Sequence, residues 1–147
     1  IERCAFFTKD YKFMGISDEF KKFGAKQKNI QWSVSAFNDK DELVVSIWGH
    51  QPLLVFNKES RIQIYKDKVS RWSGLGNQEF RKNIEIAYLK NLKVRPIITL
   101  SKNFEEILKG ADGSQFKNTF NAKLNWVGIV KLWDGENFII EFVEEKT

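Results

Sequence analysis

From Ile30 to Ala36 apolar and polar residues alternate, the period of a strand with one face buried. The polar stretch Asn38 to Glu42 reads as a turn, and Leu43 to Trp48 returns as a second strand, so the two form a hairpin. Leu53 to Phe56 and Arg61 to Tyr65 are two further short strands around the turn Asn57 to Ser60, and Gly49 to Pro52 breaks the chain ahead of them. The pattern then lengthens to a helical period. Phe80, Ile84, Ala87, Tyr88 and Leu92 mark one face of a helix expected from about Gln78 to Asn91, with Asn77 as its cap. Val94 to Leu100 is rich in branched residues and reads as a strand, which Pro96 assigns to an edge or an unpaired position.

Two short helices complete the set. Ser17 to Gly24 has a serine cap, acids in its first turn, lysines near its end and a glycine stop, and Phe104 to Lys109 is closed by Gly110. At the end of the chain, Leu124 to Leu132 and Phe138 to Val143 flank Asp134-Gly135, the dipeptide of a tight hairpin. The order predicts an α+β fold: a curved, mostly antiparallel sheet with one main helix and two short helices. With no internal repeat and no low-complexity linker, residues 1–147 read as a single domain.

Composition sharpens this. A hydrophobic share of 42% with 29% charged residues excludes a disordered chain. Thirteen Phe and five Trp imply an aromatic core, or aromatic faces turned to a ligand. The single cysteine, Cys4, is far in sequence from the single histidine, His50, so there is neither an internal disulfide nor a Cys/His metal set. Cys4 reads as a small buried apolar residue, and neither cofactor nor metal is expected. No apolar run approaches the ~20 residues that span a bilayer. The start, Ile1-Glu2-Arg3, lacks an initiator Met and the shape of a signal peptide. The expectation is a cytoplasmic protein with no membrane partner, trimmed from a larger one whose catalytic parts lie elsewhere. Oligomeric state is left open. The net charge of +5 favours a polyanion as partner, nucleic acid first.

The best place for such a partner is Arg71-Trp72-Ser73-Gly74-Leu75-Gly76-Asn77, which runs into the main helix. Two glycines allow tight turns and close approach of a ligand, and a helix start offers unpaired N–H groups to phosphate. Arg71 and Arg81 can fork onto phosphate or a base edge, and Trp72 offers a stacking face. Lys21, Lys22, Lys26 and Lys28 add a basic surface. Trp32 and Trp48 are the further base-stacking candidates. Among Trp32, Trp48, Trp72, Trp126 and Trp133, two or three at most can be ligand walls, because the others must build the core. Gly74-x-Gly76 lacks the third glycine of a dinucleotide fingerprint, and no Gly-Lys-Ser/Thr follows it.

Trp72-x-Gly74-x-Gly76-Asn77, then an apolar-faced helix carrying Asn83-Ile84-x-Ile86-Ala87 and a following β-strand, resembles the amino-terminal domain of McrA-type restriction enzymes. The likeness runs from Trp72 to Ser101. It implies recognition of modified cytosine, methylated or hydroxymethylated, in DNA as the specificity module of a phage-defence system, with cleavage left to a separate HNH nuclease domain. The family's base pocket lies outside the matching stretch, so no pocket residue is carried over. The chain is therefore expected to bind DNA and not to catalyse.

Two other classes stand beside this one. A protein-interaction module or inhibitor would use exposed Trp and Arg as a hot-spot patch. A metal-dependent nuclease would need an acidic cluster. Asp39, Asp41 and Glu42 stand in a turn, Glu79 and Glu85 on a helix beside Lys82, and Asp134 and Glu136 in the last hairpin, all places where solvated charge is ordinary. His50 has no Ser, Cys or acid at a recognisable catalytic spacing.

Overall fold

Residues 15–146 are described by a computed structural model; Cys4 lies outside them. The strands are β1 (Ser35–Phe37), β2 (Leu43–Trp48), β3 (Leu54–Asn57), β4 (Ile62–Lys68), β5 (Val94–Ser101), β6 (Asn118–Ala122), β7 (Trp126–Trp133) and β8 (Asn137–Glu144). The helices are α1 (15–22), α2 (Leu75–Leu89) and α3 (Phe104–Leu108), with 3-10 turns at Val69–Arg71 and Gly113–Gln115. All eight strands join one curved sheet in the order β1-β2-β5-β7-β8-β4-β3, with β6 also paired to β5. Only β2 and β5 run parallel. The fold is α+β, with one main helix and two short ones.

Alternation along β2 divides the core between the two faces. Leu43, Val45 and Ile47 face α2 and pack with Phe80, Ile84, Phe138, Ile140 and Phe142, while Val44 turns to the other face with Phe20, Ile97 and Ala122. The last hairpin forms as expected. Gly135 takes φ 92°, and the Asp134 carboxylate accepts from the N–H groups of Glu136 and Asn137 at 2.9 and 2.6 Å.

Several expectations are corrected, and the one for Pro96 is narrowed: of an edge or an unpaired position it takes the second, because β5 lies between β2 on one side and β6 and β7 on the other. The Pro96 carbonyl accepts from Lys123 N–H at 3.0 Å, so its missing N–H falls on the β6/β7 side. There the partner changes, from β7 at Val94↔Gly128 to β6 at Ile97↔Ala122, and no ladder bond is lost.

The strand predicted from Ile30 survives only as Ser35–Phe37. Ser33 N–H donates to the Asn29 carbonyl at 2.9 Å, the Ser33 hydroxyl accepts from Asn29 N–H at 3.0 Å, and Gln27 Nε2 donates to the Ser33 carbonyl at 2.8 Å. These local bonds take backbone groups that a ladder would have used.

Helix α2 starts at Leu75 because Gly74, at φ 108° and ψ −175°, takes a conformation open almost only to glycine. Asn77 is thus inside the first turn and does not cap. Phe80, Ile84 and Ala87 are buried as the period requires, whereas Tyr88 is exposed and Leu92 lies beyond the helix end. Ser17 likewise lies within α1, where its hydroxyl donates to Gln27 Oε1 at 2.7 Å, while Gly24 ends that helix at φ 75°. Among the described residues no helix is long and apolar enough to cross a membrane.

Candidate functional site

Strand β1 pairs only with Leu43–Val45, and beyond that register Ser46 N–H donates to the Val34 carbonyl at 2.8 Å; among the described residues Ser46–Trp48 thus have β5 on one side and no strand on the other. A cavity of about 430 Å³ lies at this gap, within the usual size of a small-molecule site. At one end stand Tyr65, Arg71, Trp72, Phe80 and Phe138, on the α2 side of the sheet. At the other stand Ile16, Gln27, Ser46, Thr99, Asn118 and Phe120, beside α1 and β6. The loop Ile30–Val34 and the segment Ala111–Ser114 complete the walls.

Three of the five indoles line this space. Trp32 comes from the loop, Trp48 from the end of β2 and Trp72 from the turn before α2. Trp48 and Trp72 also pack against the main core, as do Trp126 and Trp133, which do not line the cavity. Trp72 meets Phe80 edge-on at 5.5 Å, with the Arg71 guanidinium 4.9 Å from its ring centre.

Two glycines hold these walls close. A Cβ on Gly76 would collide with the Trp32 carbonyl oxygen, so the loop backbone lies directly on the first turn of α2. A Cβ on Gly113 would come within 2.6 Å of the Trp48 ring, so the segment after α3 closes on that indole. Gly74-x-Gly76 is thus a packing device: Gly74 starts the helix and Gly76 admits the loop. The Trp32 carbonyl oxygen thus lies against the first turn of the helix whose start was expected to offer N–H groups to phosphate.

Arg71 also has a different partner from the one expected. Its fork closes on Asp67, Nε to Oδ1 and Nη2 to Oδ2 at 2.8 Å each, and Nη1 donates to the Ile107 carbonyl at 3.1 Å. The Tyr65 hydroxyl donates to Asp67 Oδ2 at 3.1 Å. Burial, and after it the Asp67 charge, push the Tyr65 phenol well above its ordinary value. Burial pulls the Arg71 guanidinium down, but its hydrogen bond and charge pairing with Asp67 outweigh that and raise it. Arg71 therefore supports the cavity wall as half of an ion pair and is not a free phosphate clamp.

The remaining predicted residues divide. Asn77 is buried; its Nδ2 donates to the Val69 carbonyl and its Oδ1 accepts from Arg81 Nε, both at 2.8 Å. Arg81 stays exposed on the same helix, and Ser73 and Gly74 are exposed ahead of it. Lys26 and Lys28 are exposed on either side of the buried Gln27, whose side chain reaches the cavity. His50 is half-buried against Phe104, ring centres 4.3 Å apart, and its Nε2 accepts from Ser101 N–H at 3.0 Å. Burial lowers its pKa.

Among the acids, Glu42 accepts from Asn38 at 2.9 Å and pairs with Arg95 at 3.1 Å, and Glu136 accepts from Ser70 N–H at 3.0 Å. Among the described residues no three His, Cys, Asp or Glu side chains gather as a metal-ligand group.

Sequence reading missed Tyr65, Gln27, Ser46, Thr99, Asn118 and Phe120 as cavity residues. Each sits in an ordinary strand or loop pattern, and only the early departure of β1 from the sheet brings them together. No family model, curated protein or solved structure matches the chain.

Proposed function

We propose that this chain is a DNA-binding domain that takes one modified base into the tryptophan-lined cavity. The observation that carries the reading is the convergence of Trp32, Trp48 and Trp72, from three separate elements, on one cavity at a gap in the sheet. Indole faces of this kind hold a flat heterocycle by stacking, worth about 1–3 kcal/mol per base. That offsets the few kcal/mol that rotating a base out of the duplex costs. A methyl group buried beside it contributes about 0.8 kcal/mol more. Lys26, Lys28 and Arg81, all exposed, are the cations left to dock phosphates. The McrA-type resemblance agrees with this division: recognition here, cleavage by a separate domain.

The test is a titration with duplexes that are unmodified, methylated or hydroxymethylated at one cytosine, each at two salt concentrations. Affinity should fall steeply with salt, and a modified duplex should bind more tightly. Trp48→Ala should weaken binding by about 1–3 kcal/mol. Absence of DNA binding, or equal affinity for all three duplexes, would contradict the proposal.

A second reading has one observation in its favour. Val55 and Phe56, each 42% exposed, lie on opposite faces of β3, the last strand at one end of the sheet, an apolar edge suited to a protein partner. A partner captured equally well by wild type and by Trp48→Ala, in a protein that ignores DNA, would favour it.

A further inference from the structure

The cavity is larger than a methylated pyrimidine needs. About 150 Å³ is enough to enclose a benzene ring, and this cavity holds about 430 Å³. Resting on the base-binding reading above, we propose that the preferred base carries a hexose: a glycosylated hydroxymethylpyrimidine.

The chemistry of the two ends supports this. The α2 end is aromatic, with Trp72, Phe80 and Phe138, and suits the flat base. The other end presents neutral amides and hydroxyls, the groups that exchange hydrogen bonds with a sugar. Ser46 Oγ and Thr99 Oγ1 lie 2.7 Å apart. One of their two hydrogens makes that bond, and the other remains for a ligand oxygen. Asn118 Nδ2 donates to the Gly113 carbonyl at 3.0 Å, leaving Oδ1 a buried acceptor that no group of the described residues satisfies. Asn118 itself lines the cavity, and a turn of its amide toward that space would give this enclosed acceptor a sugar hydroxyl as its donor. Among the described lining residues Arg71 is the only charged side chain, and Asp67 neutralises it. The described residues thus offer no free cation there for a phosphate or carboxylate substituent, which favours a neutral, hydroxyl-rich one.

The experiment compares four duplexes that differ at one cytosine: unmodified, methylated, hydroxymethylated, and glucosylated on the hydroxymethyl group. The glucosylated duplex should bind most tightly, at least about tenfold better than the hydroxymethylated one. Asn118→Ala and Thr99→Val should each shrink that ratio. If the methylated or hydroxymethylated duplex binds as tightly as the glucosylated one, yet better than unmodified DNA, the hexose inference fails and the base-binding reading stands. If none binds, or all four bind alike, both fail. If the tenfold ratio survives in both variants, the polar end is not the sugar site.

Discussion

At the residue scale, the group that matters most is one the sequence presents as a free cation. Arg71 stands next to the turn Trp72-Ser73-Gly74-Leu75-Gly76 and reads as a phosphate clamp, but Asp67, four residues earlier, takes its fork. The pair is nearly enclosed, with side-chain exposures of 12% and 2%. Removing one partner leaves a buried charge alone, so Asp67→Ala should lower stability by about 3–5 kcal/mol, measured as a fall in the urea midpoint. His50 makes a second prediction. Burial holds its folded pKa below the ordinary ~6.5, so below that pH the unfolded chain takes up the proton more readily than the folded one. Stability is then highest above about pH 6.5 and falls as the pH drops through that value toward the lower folded pKa. Thermal unfolding at pH 7.5 and 5.5 checks this, and His50→Gln should flatten the step. Glu42, whose pKa is lowered by Asn38 and Arg95 against the opposing effect of burial, loses its contribution only in a more acid range.

At the scale of elements, the loop Ile30–Val34 and the start of α2 act as one unit. The Trp32 carbonyl that Gly76 admits belongs to the backbone and cannot rotate away. Gly76→Ala should cost about 1–3 kcal/mol as overpacking and should shift Trp32 from the cavity, so DNA affinity should fall with stability. A variant with full stability and unchanged affinity would separate the loop from the site. The same unit shows what the sequence could and could not disclose. The Asp134-Gly135 hairpin, β2 and the Phe80/Ile84/Ala87 face are local patterns, each fixed by a few neighbouring residues, and they form where expected. The loop alternates like a strand, yet Gln27, Asn29 and Ser33 bond to one another and pull it off the sheet. That competition depends on a tertiary gap, so period alone gave no warning. Pro96 left an edge and an unpaired position open, and only the tertiary structure decides for the second: its missing donor falls at a change of strand partner that no local pattern marks. The aromatic half of the site was legible, because Trp32, Trp48 and Trp72 are conspicuous. The polar half was not, because Ser46, Thr99 and Asn118 look like ordinary strand residues.

At the scale of the whole molecule, the account rests on an aromatic cavity built at a deliberate break in an otherwise continuous sheet. On the proposed reading, docking on phosphates would fall to the exposed Lys26, Lys28 and Arg81, and selectivity to what the cavity encloses. Mutating Lys26 and Lys28 together to Gln should weaken binding to every duplex alike and reduce the salt slope by roughly two, whereas changes inside the cavity should alter preference among bases. The most direct measurement is indole emission during a duplex titration, in a protein with Trp126→Phe and Trp133→Phe so that only the three cavity tryptophans report. Stacking of a base in the cavity should quench that emission, saturating with binding and more strongly for a modified duplex. A duplex that binds while the emission stays unchanged would contradict the account.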